Sequence, residues 1–437
     1  MQIPVRLLIM LFLASLALTA AYGGEKTLWI DFDEVTDTHL IAPPGLGAVD
    51  PEEKDTAVGD LTGNGLPDLV VARKVPWSTP GGRSNALFIN EGGVMTEQSA
   101  KYAPAFADET DDRFVIMADV NGNGWLDVIT ATTFGDQPRI YINLGLDSGE
   151  WQGLEYQADR LPVFDPPPKF CAVASGDVTG NGSQDLFFVD YDNDLNDRLL
   201  INDGNGFFTD ETDTRLTPEM SLSQFGTSAS IGDFNGNGLN DIMKVNALGA
   251  NVVTVLYNGG DGVFNAMDNV YSRFPYMSEI FDFNNNGRLD LFVVDDGQDR
   301  ILINQGNDDD GLAIFVEQLV VDSPHTASFG GNITIADMDG SGYLDVLVSD
   351  VDVDIQGCNR RLAILRNDGD PNGPTLSDPL ANEVKPWLTH GTHDTAVADF
   401  NGNGAMDLWV ATCDGNRLFF STRGDELFRD AFDSSGR

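Results

Sequence analysis

The sequence predicts an all-β fold, a seven-bladed β-propeller of four-stranded antiparallel blades. Three observations lead there. A nine-residue pattern, Asp-x-(Asn/Thr/Asp)-x-(Asn/Ser)-Gly-x-x-Asp, recurs seven times along the 437 residues, beginning at Asp60, Asp119, Asp177, Asp233, Asp282, Asp337 and Asp399. Successive copies lie 49 to 62 residues apart, the length of one small sheet, and a fixed period of this size marks a repeat architecture. Each copy runs into a short apolar stretch of strand character, while helical periodicity is absent almost everywhere. An open solenoid is the rival, but no terminal repeat of different composition is present to cap one.

The elements follow in chain order. Residues 1–23 read as a secretory signal: Arg6 gives a basic start, Leu7 to Leu18 an apolar run, and Ala20, Ala21 and Gly23 small residues for cleavage. The run is shorter than the roughly 20 residues needed to span a bilayer. No cysteine follows it directly, which argues against a lipid-anchored lipoprotein. Residues 24–437 then form a single propeller.

The third repeat gives the template for a blade. Phe170–Gly176 is a first strand, Asp177–Asp185 the acidic loop and Leu186–Val189 an unbroken apolar strand. Arg198–Asn202 is a third strand, Asp203–Gly206 a tight turn and Phe207–Thr212 a fourth strand. The same series recurs as DLVVA, ALFIN and VMTEQ in the first repeat, and as DLFVV and RILIN in the fifth. Ring closure needs one terminus to complete a blade. Two segments compete for that place, LWIDFDEVT at 28–36 and ELFRDAF at 426–432.

Charge and cysteine content bound the function. With 69 acidic against 25 basic residues the chain carries −44, so a nucleic-acid partner, which requires a basic face, is not expected. An acidic excess suits solubility in a salty external medium, though any acidic secreted protein would show it. Only three cysteines occur. Cys358 and Cys413 lie just before strands in corresponding hairpins of the last two repeats, where an exported protein is able to bridge them. Cys171, in the apolar stretch FCAVASGD, reads as a buried thiol.

The acidic loops carry the chemistry. Alternate Asp, Asn and Asp side chains place hard oxygen donors on one side of a tight turn, glycine at position six permits the bend, and the closing Asp is able to bind bidentately. This is Ca²⁺ chemistry, and Mg²⁺ seldom uses such all-protein cages. The alternative is an Asp-capped turn without metal. A β-strand follows position nine directly and no helices flank the loop, which excludes an EF-hand. With two carboxylates in most loops, affinities of about 10⁻⁴–10⁻³ M are expected.

The whole unit, an apolar strand, a GDFNGNG-like loop, a DLxVA strand, an LxxN-G turn and an FxD strand, resembles the FG-GAP/VCBS repeat. That repeat builds the integrin α-subunit propeller and many exported bacterial proteins. The resemblance covers about residues 28–430. It implies structural Ca²⁺ ligands, up to seven ions, at positions one, three, five and nine of each loop. These are Asp60, Thr62, Asn64 and Asp68; Asp119, Asn121, Asn123 and Asp127; Asp177, Thr179, Asn181 and Asp185; Asp233, Asn235, Asn237 and Asp241. The last three loops supply Asp282, Asn284, Asn286 and Asp290; Asp337, Asp339, Ser341 and Asp345; Asp399, Asn401, Asn403 and Asp407. Asn285 replaces glycine at position four of the fifth loop, where a left-handed backbone is expected and asparagine tolerates it. The resemblance leaves the biochemical role open, because the fold hosts adhesins, lectins and lyases alike.

Ligands are expected on the face opposite the acidic loops, where the links between blades emerge as varied loops on a rigid scaffold. Trp77, Tyr102, Phe106 and Trp387 are the candidate aromatic contacts of an extracellular glycan or protein ligand. All four histidines fall in such links: His39, His325, His390 and His393. Closure of a ring makes blades six, seven and one neighbours, so these imidazoles are expected in one sector, with Lys54, Arg73, Lys74 and Lys385. An anion site follows from that reading, and chance accumulation in exposed loops is the plainer one. Arg139, Arg198, Arg300 and Arg417 recur at one repeat position and read as structural. No G-x-S-x-G, H-E-x-x-H or P-loop occurs, which favours a non-catalytic, monomeric binding or adhesion module, secreted, periplasmic or at the cell surface. The alternative is a lyase that cleaves acidic polysaccharides through His390 or His393, with Arg73, Lys74 or Lys385 neutralising uronate carboxylates.

Overall fold

A computed structural model describes residues 28–75, 81–192, 195–320, 331–349, 361–370, 373–389 and 391–423. It shows seven antiparallel sheets of the expected kind. The third blade consists of Phe170–Gly176, Asp185–Asp190, Arg198–Asn202 and Phe208–Asp210, close to the template. In every blade the closing Asp of the acidic loop pairs with the last residue of the first strand, from Gly59↔Asp68 to Ala398↔Asp407. The only helical segments among the described residues are four residues long.

The N-terminal segment closes the ring. Phe32–Glu34 pairs antiparallel with Asn416–Ser421, so it becomes the outer strand of the seventh blade. The competing C-terminal segment, 426–432, lies outside the described residues. Leu40–Ile41 then adds a parallel fifth strand to blade one. Blade two carries an extra hairpin, Leu146–Asp147 paired with Glu150–Trp151.

The second strands are buried along their whole length, as in Asp68–Lys74 and Asp127–Thr132, because each lies between two neighbouring blades. The core is accordingly seven inter-blade layers. One joins Ile129 and Ile140 of blade two to Val173 and Phe188 of blade three; another joins Trp409 of blade seven to Phe88 of blade one. First strands stand close together around the central channel. A Cβ at Gly176 would collide with Ile231 of blade four, so only glycine fits there.

A clasp that repeats around the ring ties each of blades one to six to the blade before it. Asparagine ends the third-strand motif in blades one to six: Asn90, Asn143, Asn202, Asn258, Asn304 and Asn367. Its backbone N–H donates to the closing carboxylate of its own acidic loop, at 2.7–2.9 Å. Its side-chain Nδ2 donates to the position-two carbonyl of the preceding blade's loop. Asn143 reaches Leu61, Asn202 Val120, Asn258 Val178, Asn304 Phe234 and Asn367 Phe283, and Asn90 reaches back to Phe400 of blade seven. Blade seven has Ser421 here, which keeps the backbone bond to Asp407 but has no amide to give.

Candidate functional site

The acidic loops fold around their first carboxylate. In all seven the position-one Asp accepts the N–H groups of positions five and six, as Asp233 does from Asn237 and Gly238 at 3.1 and 2.8 Å. Position four is left-handed throughout. Asn285 sits there at φ 55°, beside glycines at 70–75° in the other loops. The position-nine carboxylate is buried beneath. In six loops its Oδ2 accepts the position-two N–H while Oδ1 takes the third-strand N–H, a role that falls to Ser421 in the seventh. Burial pushes Asp68, Asp127, Asp241, Asp290 and Asp407 up to about 6, raises Asp185, and carries Asp345 to about 7. A cation beside these groups would relieve that cost of ionisation.

The sixth loop gathers the most charge. Ligand oxygens of Asp337, Asp339 and Asp345 all lie within 4.8 Å of one another, a donor set that fits a hard cation. Arg366 pairs with Asp339 at 2.8 Å and offsets part of it. In the fifth loop Asn284 Oδ1 is shielded from solvent and has no hydrogen-bond partner, as a ligand atom awaiting a cation would.

The link face differs from expectation. Phe106 and Trp387 are buried, not presented to a ligand: Phe106 packs edge-on against Tyr141 at 4.8 Å and Trp387 against Phe32 at 5.1 Å. Blades splay apart toward the rim of a propeller, and these rings fill the widening gap. Trp77, His325 and His390 lie outside the described residues, as does Cys358; Cys413 is disulfide-bonded. Cys171 is free and buried, as expected, and burial pushes its thiol up to about 12.

Two of the four histidines, His39 and His393, lie among the described residues. His39 stacks edge-on against Phe420, on the third strand of blade seven, whereas His393 is buried at the start of that blade's first strand. Burial, with Lys54 and Lys74 nearby, holds the His393 ring well below its usual range, so it is neutral. Arg73 is not a surface cation: it is buried and grips both oxygens of Asp50, at 2.9 and 3.0 Å. Lys74 pairs with buried Glu53 at 2.8 Å, and Lys385 with Asp31 at 3.0 Å. None of the three presents an unpaired charge to a polysaccharide. The recurring arginines are structural, each paired with an acid, as in Arg139–Asp108 and Arg300–Glu317.

Inside the channel Asp55 of blade one lies near Asp394 of blade seven. Asn332 and the Val115 N–H donate to Asp55, and Thr56 donates twice to Asp394. Burial, reinforced by the Asp394 charge, raises Asp55 well above the carboxylate range, and burial lifts Asp394 to about 6. Raised folded values mean that the fold holds a proton here more tightly than the unfolded chain. The stabilisation is complete below about pH 4 and is lost as pH rises through about 6. With calcium held constant, the melting temperature is expected to fall between pH 5.5 and 8. In Asp394→Asn that slope should flatten; an unchanged slope in thermal melts would place the proton elsewhere.

A groove not anticipated from the sequence lies between blade one and the extra hairpin of blade two, on the acidic-loop side. It encloses ≈ 330 Å³ and is lined by Asn64, Glu91, Thr96, Gln98, Tyr102 and Trp151, among others. Of the three candidate aromatics among the described residues, Tyr102 is the one that remains partly exposed. Its ring is 4.9 Å from that of Trp151, and Lys101 lies 4.3 Å from its face. The hairpin is local to blade two, which is why the repeat pattern gave no sign of the groove.

No curated protein matches the sequence. Among solved structures the chain is similar to a lectin of Agrocybe aegerita described as recognising non-reducing terminal N-acetylglucosamine. The two share 19% identity over 84% of this chain and 87% of that one, with a TM-score of 0.50. The Dos1 propeller is similar at 9% identity and TM-score 0.47, over 89% and 96% of the two chains. Both likenesses concern the fold. No helix among the described residues is long and apolar enough to cross a membrane. A family model, the FG-GAP-like repeat, matches residues 60–130, 177–243 and 282–348, each span running from one acidic loop through the next into the strand that follows it. The chain therefore contains FG-GAP-like repeats, and its sheets form a seven-bladed β-propeller.

Proposed function

We propose that the protein is an exported, calcium-stabilised, monomeric binding module whose ligand is a glycan at the cell exterior. Each acidic loop holds one Ca²⁺, seven in all, through positions one, three, five and nine. The ions stiffen the loops on which the groove is built, since Thr62 and Asn64 line it too. The observation that carries the reading is the groove itself: a partly exposed tyrosine face beside Gln98, Thr96, Glu91 and Asn64. An amphipathic ring flanked by side-chain donors and acceptors suits the apolar face and hydroxyl rim of a sugar. A lectin with the same fold supports the reading by precedent.

A glycan array probed with the mature protein in millimolar calcium is the test. Tyr102→Ala should weaken binding by at least about tenfold, the loss of one stacked aromatic anchor. Full binding by that variant would reject the groove, and an array without any ligand would reject the glycan.

A further inference from the structure

At the opposite end of the channel, the starts of the first strands enclose a cavity of ≈ 50 Å³ whose lining contrasts with the rest of this acidic chain. Three cations, Lys54, Lys74 and Arg113, meet there around one carboxylate, Glu53. Lys74 and Arg113 converge on the same oxygen, Glu53 Oε1, at 2.8 and 3.9 Å. Lys54 directs its ammonium at three backbone carbonyls, those of Asp50, Glu52 and Thr412, at 2.7, 2.6 and 2.9 Å. It therefore adds charge to the cavity without a donor to spare. Lys74 bonds Glu53 with one of its three donors. The lining holds three cations and one carboxylate, with the charges of Asp50 and Asp55 acting from behind it, and the two remaining Lys74 donors favour an anion.

Two buried acceptors are also without a partner. Glu53 Oε2 is one; Glu53 is 5% exposed. The second is Nδ1 of His393, which is 7% exposed. A hydrogen bond between the His393 ring and the Glu52 carbonyl requires the other ring nitrogen to donate, which makes Nδ1 of the neutral ring an acceptor. The cavity thus offers cationic donors for an anion, and two acceptors that need a donor from the same occupant. Its volume exceeds the need of one water and limits a ligand to a few heavy atoms. Phe225 stands at its edge with a left-handed backbone, φ 64°, its ring 3.9 Å from that of Tyr191.

We propose that this cavity binds a small carboxylate bearing a hydroxyl or amino group on the adjoining carbon. The carboxylate lies toward Lys74 and Arg113, and the hydroxyl or amino group donates to Glu53 Oε2 and His393 Nδ1. The site is separate from the groove, so either reading is able to fail without the other.

Glycolate, glycine, acetate and chloride at equal ionic strength are the probes, applied to the full mature protein in calcium. Glycolate or glycine at 10 mM should raise the melting temperature by about 3 °C, as for a Kd near 0.1 mM, and acetate by clearly less. Glu53→Gln, nearly isosteric, should remove the preference over acetate, and Lys74→Met should weaken all the acids by about tenfold. A crystal of the unaltered protein grown with 10 mM glycolate reads the cavity directly, whatever the variants do. Waters alone in that cavity, or equal shifts with chloride and glycolate, would overturn the proposal.

Discussion

Chelation of divalent cations should lower the melting temperature of the mature protein by about 12–24 °C. At Kd values of about 10⁻⁴–10⁻³ M, 10 mM calcium stabilises each occupied loop by about 1.4–2.7 kcal/mol. Seven loops together contribute roughly 10–19 kcal/mol. Unfolding entropy of about 2.1 cal/mol/K per residue gives about 0.8 kcal/mol/K for a propeller of this length, which converts the sum into that shift. Asp233→Ala removes one ion and one loop cap, and should cost about a seventh of the effect. Contacts in a repeat ring are mostly between neighbours, so the other blades should keep their ions. Melting curves in calcium and in chelator measure both quantities.

Asn258→Ala is expected to be the most damaging single change outside the core, at about 3–5 kcal/mol. The amide of Asn258 donates to Val178 of the preceding blade at 2.7 Å and to Asn240 at 3.0 Å, and its Oδ1 accepts the Gly260 N–H at 2.9 Å. Alanine would leave these groups unpaired, among them the buried Val178 carbonyl and the part-buried Asn240 carbonyl, at about 1–3 kcal/mol each. Asp in its place keeps the acceptor but brings a second carboxylate beside Asp241, so it should be no better. Denaturant melts give the value directly. A loss below about 1 kcal/mol would mean that apolar packing alone holds the blades together.

That clasp shows what sequence reading reaches in this fold and where it stops. The acidic loops announce themselves because their chemistry lies within nine residues, and the strand template follows from the same period. The asparagine was visible as part of an LxxN-G turn. Its partner, though, is a carbonyl some 80 residues away, and a lone turn asparagine is adequately explained by turn formation. Ring closure by Phe32–Glu34 had a competitor of equal local merit, and only the pairing with Ser421 and Phe419 separates them.

The binding surface was less legible. Aromatic residues in links look exposed when links are taken as loops, yet Phe106 and Trp387 fill the gaps between splayed blades. Arg73 looked like a cation available to a ligand because Asp50, 23 residues upstream, gives no local sign of pairing with it. His393 read as a surface group in a link; its place in the first strand of blade seven buries it in the channel wall. In each case a non-local contact decided the role, and residue type alone did not specify it. Tyr102 kept its exposure because the groove beside it is shaped by the hairpin at 146–151, an addition outside the repeat.

Metal analysis of the purified mature protein at equilibrium with millimolar calcium tests the central claim most directly. Weak sites require that the count be taken at equilibrium, by dialysis against buffer of known calcium content. Near saturation, calcium per chain should approach seven, with a matching loss of the chelator-sensitive melting shift when ligands such as Asp233 are removed. Fewer than two calcium ions per chain, together with melting curves that chelator leaves unchanged, would contradict it: the loops would then be Asp-capped turns that hold their shape through backbone hydrogen bonds alone.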